Sequence, residues 1–188
     1  MTKKVDKSFP KITSNQLTTL SPWVTLSAKN VSWDSAEKPS VFHSFQQADY
    51  VTMLGVRPDG LIPIVKQFRP AVEEFTLELP GGLLDRNDAP ENIAIGEMRE
   101  ETGHNVLHSP TFLGCLYPDT GRLENRFWAY FSEVSPQENS DWNQEPGIEV
   151  ILVTRNELRE MILDGRFKQA LHISVIGLAL TKGLFKWS

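Results

Sequence analysis

Between residues 75 and 104 the chain reads FTLELPGGLLDRNDAPENIAIGEMREETGH, and this stretch restricts the fold more than any other. FTLEL reads as a short strand that Pro80-Gly81-Gly82 is expected to stop, since proline cannot donate to a ladder and glycine weakens one. Asp88 is a good N-cap, Pro90 suits the first turn, Glu91 completes an Asp-x-x-Glu capping pattern, and Gly103 stands where a left-handed stop is wanted. The spacing therefore predicts a helix over residues 89–102, reached from a strand through a tight glycine loop. At roughly 100° per residue, Glu97, Glu100 and Glu101 share about one quadrant, and Ala94, Ile95 and Met98 fill the neighbouring arc. The carboxylates thus border the face that meets the sheet, close to the bare backbone of the loop. Like charges at this spacing weaken a helix by a few tenths of a kcal/mol per pair. A solvated acidic face is one explanation. A set of hard oxygen donors for Mg²⁺ or Mn²⁺, ions that clamp phosphates, is the other.

Elsewhere the pattern is mostly period two. PWVTLSAKNVSW (22–33) alternates Val24, Leu26 and Ala28 with Trp23, Thr25, Ser27 and Lys29, as a half-buried strand does. SVFHSFQQADYVTMLGV reads as further strand, and Arg57-Pro58-Asp59-Gly60 as a turn into LIPIVKQF. TFLGCLY, RFWAYFSEV and IEVILVT are three more strand candidates, the last two separated by a long polar loop over residues 135–147. Thr154 and Glu157 form a capping box for a helix ending near Gly165, and QALHISVIGLALTKGLFK predicts a terminal helix packed on a sheet. The expectation is a mixed α/β domain rich in antiparallel strands, with a loosely held arm over residues 1–20 and one domain over 21–188.

Composition narrows the function. The length of 188 residues suits one domain with a substantial core. A net charge of -5 argues against a sequence-independent grip on nucleic acid. The single cysteine, Cys115, allows no internal disulfide and fits a reducing compartment, the cytoplasm by default. Neither a signal-peptide core nor a membrane-spanning run is legible, so export and insertion are not expected.

Residues 82–104 resemble the Nudix box, whose pattern is Gly, five residues, Glu, seven residues, then Arg-Glu-(apolar)-x-Glu-Glu-x-Gly-(apolar). Gly82, Glu97, Met98, Glu100, Glu101 and Gly103 stand in register with it. Asp88, Gly96 and His104 depart, replacing the first Glu, the Arg and the final apolar residue. An arginine at 96 would lie four residues before Glu100 on one helix face, whereas glycine contributes no charge and costs about 1 kcal/mol of helix propensity relative to alanine. Arg99 projects from another side of the helix and is not expected to substitute.

VKQFRP followed by ELPGG, together with the C-terminal ELREMILDGRFKQA, is similar to the ADP-ribose and nucleoside-diphosphate-sugar pyrophosphatase branch. That resemblance implies a Nudix fold, a mixed sheet between helices, with N-terminal strands over about 21–48 that join two copies into a homodimer. It implies Mg²⁺ held by Glu97, Glu100, Glu101 and the carbonyl of Gly81, with Arg69 on the diphosphate and Glu78 in the substrate pocket. Trp23 and Phe42 match base-stacking positions, although from the residues themselves Phe42, like Trp33, reads as packing and a structural Trp at an interface explains Trp23 as well. Arg69 also sits at a strand end where a guanidinium forks onto phosphate, although a surface ion pair explains it equally.

In that branch the base that activates water lies on the loop before the last strand, which makes Glu145 the first choice, ahead of Glu149 and Glu138; Asp141 shares the loop. The run PDTGRLENRFWAY, with Gly121, Arg122, Glu124 and Arg126, stands where the branch borders its sugar pocket. The implied activity is Mg²⁺-dependent hydrolysis of a nucleoside diphosphate-sugar, ADP-ribose first, to a nucleoside monophosphate and a sugar phosphate. Two alternatives stay open: a nucleotide-sugar sensor that does not turn over, and a Nudix enzyme for other nucleotides.

Overall fold

Ten strands and three helices form among the residues that the computed structural model describes, 10–34, 38–136 and 142–187. They fall into two compact units, Met1–Ala48 with Tyr117–Asn125, and Asp49–Leu116 with Arg126–Ser188.

The first unit is an antiparallel sheet of β1 (Lys11–Ser21), β2 (Val24–Ser32) and β3 (Ser40–Gln46), in the order β1-β2-β3. The expected arm is therefore a strand from Lys11 onward, paired along its length with β2. Its run of Thr, Ser, Asn and Gln lacks the apolar alternation that marks a strand; the ladder and side-chain hydrogen bonds from Ser27 to Asn15 and from Asn30 to Ser14 hold it. Trp23 lies in the turn between β1 and β2 rather than within a strand. In β2 the buried residues are Ser27 and Ser32, so the expected burial of Val24, Leu26 and Ala28 is not realised. Ile12, Leu17, Leu20, Val41 and Phe42 are exposed on the same sheet. The segment Tyr117–Asn125 docks on β3: Phe45 N–H donates to Arg122 O (2.7 Å), and Glu124 N–H donates to Phe45 O (3.0 Å). Glu124 gathers Lys29, Ser44 and Gln46 around its carboxylate, and these partners hold it down at about 2 against the opposing effect of burial.

The second unit holds two sheets. One orders β10 (Ile148–Val153), β5 (Ile62–Arg69) and β6 (Glu74–Glu78); the other orders β7 (Gly81–Leu83), β4 (Tyr50–Val56), β9 (Phe127–Glu133) and β8 (Thr111–Leu116). All pairs are antiparallel except β4 with β9. The helices are α1 (Pro90–Thr102), α2 (Arg155–Leu163) and α3 (Ala170–Thr181). Alternation along β4 divides the core. Val51 and Met53 pack on Ile93, Ala94 and Met98 of α1, while Leu54 and Val56 join Leu158, Val175, Ile176 and Ala179 of α2 and α3. No helix among the described residues is long and apolar enough to cross a membrane.

Two local features around α1 add to or change the expectations. Strand β6 stops at Glu78, before Pro80, as expected, but Gly81 and Gly82 then begin a separate strand, β7, and pair with Thr52 and Val51. A Cβ at Gly81 would lie 2.3 Å from Val51 O, so only glycine permits this approach. The N-cap is Ala89, not Asp88. Pro90 disfavours helical backbone in the residue before it, and Ala89 is extended at φ -66, ψ 141. Asp88 serves from one position earlier, its Oδ1 accepting from Ala89 N–H and Asn92 Nδ2, each at 2.7 Å. At the other end Gly103 adopts φ 72 and donates to Arg99 O, and in α2 the Thr154–Glu157 capping box forms as expected.

Candidate active site

The loop through β7 brings its backbone against the acidic side of α1. Gly81 N–H donates to Glu101 Oε2 at 2.9 Å. Glu101 is buried, Glu97 half-buried and Glu100 exposed. Burial pushes the Glu101 carboxyl up to about 8; the Gly81 N–H works against this, and the charges of Glu97 and Glu145 add to it. Glu97 is raised too, chiefly by burial and then by Glu100, with Arg86 opposing. A Cβ on Gly82 would fall 2.5 Å from Glu97 Oε1, so the second glycine leaves room for that carboxylate.

Glu145 lines a surface cavity together with Arg99, Glu100 and Trp142, on the side of α1 that carries the acidic row, and its charge adds to the rise of the Glu97 and Glu101 carboxyls. Its loop is tied to α1 where Trp142 Nε1 donates to Glu100 O at 3.0 Å, meeting one of the carbonyls that a helix end leaves without an internal partner. Glu149 lies on β10, exposed, paired with Lys66 at 3.0 Å. Glu138 and Asp141 lie outside the described residues.

Arg86 was not singled out from the sequence. From the connection before α1, its Nη2 lies 3.3 Å from Glu97 Oε1 and its Nη1 lies 3.7 Å from Glu100 Oε1. A guanidinium therefore reaches the acidic row despite Gly96, from a position the box spacing does not mark. A divalent cation fits the donor chemistry here: hard oxygens only, two of the three carboxylates held where their charge is disfavoured, and one half-exposed guanidinium beside them. In the observed rotamers no three His, Cys, Asp or Glu side chains among the described residues converge as a ready cage.

Beside the loop lies a cleft of about 310 Å³ lined by Tyr50, Arg69, Glu78, Gly81, Phe127 and His172 among others. The two residues expected to meet substrate are joined to each other. Arg69 Nε and Nη2 donate to Glu78 Oε1 and Oε2 at 2.8 and 2.7 Å, and Thr76 Oγ1 donates to Glu78 Oε1 at 2.6 Å. Burial alone would raise Glu78, but these bonds outweigh it and hold the carboxyl below its ordinary value. His172, on α3, was also missed. Its Nδ1 accepts the Leu79 N–H at 3.0 Å, its ring stacks on Phe127, and burial pushes it down to about 4.

The second unit thus brings together Arg69, Glu78, Gly81, Glu97, Glu100, Glu101 and Glu145. Trp23 and Phe42 belong to the first unit, where Trp23 is 66% exposed and Phe42 meets the edge of Trp33 at 6.0 Å.

The NUDIX domain profile matches residues 46–172. An uncharacterised Nudix hydrolase of Schizosaccharomyces pombe is 38% identical over 94 residues, which cover 47% of this chain and 43% of that protein. The ADP-ribose pyrophosphatase of Bacillus subtilis is 28% identical over 114 residues, 60% of this chain and 61% of the relative. The chain spans about half the length of the curated relatives it matches. The crystal structure of an ADP compounds hydrolase aligns with a TM-score of 0.78 over 97% of this chain and 98% of that one, at 18% identity, a likeness of fold. With the profile extending over more than half of its residues, this chain belongs to the Nudix family.

Proposed function

We propose that the chain is a Mg²⁺-dependent pyrophosphohydrolase that splits the diphosphate of a nucleoside diphosphate-sugar, ADP-ribose foremost, into a nucleoside monophosphate and a sugar phosphate. The observation that carries this reading is the seating of the acidic row of α1 against the β7 backbone, where Gly81 N–H donates to the buried Glu101 carboxylate at 2.9 Å and Gly82 leaves room for Glu97. The printed name of the Bacillus subtilis relative favours ADP-ribose.

Glu97, Glu100, Glu101 and the Gly81 carbonyl would hold the cation, with Mn²⁺ an acceptable substitute. When bound, such an ion neutralises charge on the diphosphate and lowers the pKa of a water. Arg69 presents Nη1, the nitrogen not engaged by Glu78, to the second phosphate. Glu145 takes the proton from the attacking water. Trp23 and Phe42 stack the base in a homodimer, a reading supported by the apolar side chains exposed on β1 and β3. The single cysteine fits a cytoplasmic setting.

Phosphorus NMR of the protein with Mg²⁺ and, separately, ADP-ribose, ADP-glucose, UDP-glucose and GDP-mannose tests the reading. ADP-ribose should lose its diphosphate pair and yield two monoesters fastest, and Glu100→Gln or Glu101→Gln should abolish most turnover. Unchanged spectra with both Mg²⁺ and Mn²⁺ would put the non-hydrolysing sensor ahead.

A further inference from the structure

His172 has an acceptor's task on one side of its ring only. The backbone N–H of Leu79 donates to Nδ1; turning the ring over would put a carbon there and leave a buried N–H unpaired. With the lone pair at Nδ1 so used, the neutral imidazole carries its proton on Nε2. A histidine that merely filled the core would have Nε2 either bonded or sealed. No described residue bonds Nε2, yet among the described residues only Arg57 Nε and His104 Nε2 are sealed side-chain atoms without a partner. His172 is 7% exposed and lines the cleft, so its remaining access runs through that cleft.

The surroundings suit a neutral donor. Glu78, 4.0 Å from Nδ1, already has its charge answered by the two-pronged Arg69 pair and by Thr76, so no partner calls for an imidazolium. Phe127 stacks on the ring and Gln169 Oε1 holds the N–H groups of Leu171 and His172, fixing the start of α3 and with it the ring's position. The cleft, about 310 Å³, lies at the lower end of the range for small-molecule sites.

We propose that His172 contacts the ligand directly, its Nε2–H donating to an oxygen of the diphosphate-sugar beside the phosphate that Arg69 holds. The inference rests on the function proposed above and adds a residue that neither the box nor the QFRP run marks. A donor without charge discriminates by position. It favours a ligand that places an acceptor oxygen next to the phosphate on Arg69, and it gains nothing from a bare phosphate that cannot reach both groups.

The first test is long-range proton–nitrogen NMR of nitrogen-15-labelled protein with Mg²⁺ and the uncleavable α,β-methylene analogue of ADP-ribose. Free protein should show His172 as the neutral Nε2–H tautomer. On titration Nε2 should move along the same saturation curve as Arg69 Nε. Movement of Arg69 with His172 still, or an Nδ1–H tautomer in the free protein, overturns the inference alone. Silence of both groups overturns the reading of the cleft as a substrate site, and this inference with it. The second test is calorimetry on His172→Phe, which keeps a ring against Phe127. The analogue should bind about fivefold to tenfold more weakly, the size of one neutral hydrogen bond. An unchanged Kd in a variant that still melts cooperatively would overturn the proposal.

Discussion

Gly96 leaves Glu100 without a cation one turn upstream, and Arg86 reaches Glu97 and Glu100 from outside the helix. Arg86 opposes the rise of the Glu97 carboxyl, so Arg86→Gln lets that rise go further. A carboxylate must be ionised to hold a cation, and the acid limb of the kcat/KM profile should therefore move to higher pH in this variant. Arg99→Gln, altering a neighbouring guanidinium, should leave the limb in place; movement in both variants would point to a general surface-charge effect. The glutamate row, Gly81, Arg69 and Glu78 were legible because fixed spacing or a short run carries them. Arg86 and His172 were not. One stands in a connection whose path depends on β7, and the other sits in an apolar helix where a histidine reads as core.

Strand β7 fits against the sheet and helix α1 because Gly81 and Gly82 each have a geometric reason to lack a side chain, whereas Gly96 of α1 has none. At Gly96 a Cβ would meet only Glu100 Oε1, at an ordinary 3.6 Å. Gly96→Ala should raise stability by about 1 kcal/mol in denaturant titration, the helix-propensity difference. Gly82→Ala should behave in the opposite sense: the new methyl displaces the Glu97 carboxylate, a flexible end, so turnover falls while the melting temperature changes little. Equal loss of stability and turnover would place the strain in the backbone instead. At this scale the sequence revealed the longer elements, including α1 and the α2 capping box. It did not reveal β7, three residues long, nor β1, whose polar run has no period. The N-cap moved by one residue because Pro90 fixes the conformation of its predecessor more firmly than Asp88 attracts the helix start.

For the molecule as a whole, the buried titrating groups set a pH dependence whose sign can be worked out. Glu101 rises from 4.5 to about 8, so the folded state binds more protons than the unfolded one between these values, and stability is lost as pH rises through about 8. His172 falls from 6.5 to about 4 and acts oppositely, its contribution being lost as pH drops below 6.5. Between pH 6.5 and 8 the carboxyl acts without this opposition. Without divalent cation, the melting temperature should fall across that window. Glu101→Gln should flatten the slope, and a slope unchanged in that variant would assign the dependence to other groups.

The first unit has a different kind of consequence, in the order of manufacture. Its sheet is encoded at the start of the chain, but the segment that supplies Glu124 to Lys29, Ser44 and Gln46 comes only after β4 to β8. The backbone pairing of Phe45 with Arg122 and Glu124 likewise spans most of the intervening chain. Contacts so distant in sequence form late, because closing a long loop costs entropy before any contact repays it. On a ribosome, the strands of this sheet must wait with an unfinished edge at β3 while residues 47–116 are made.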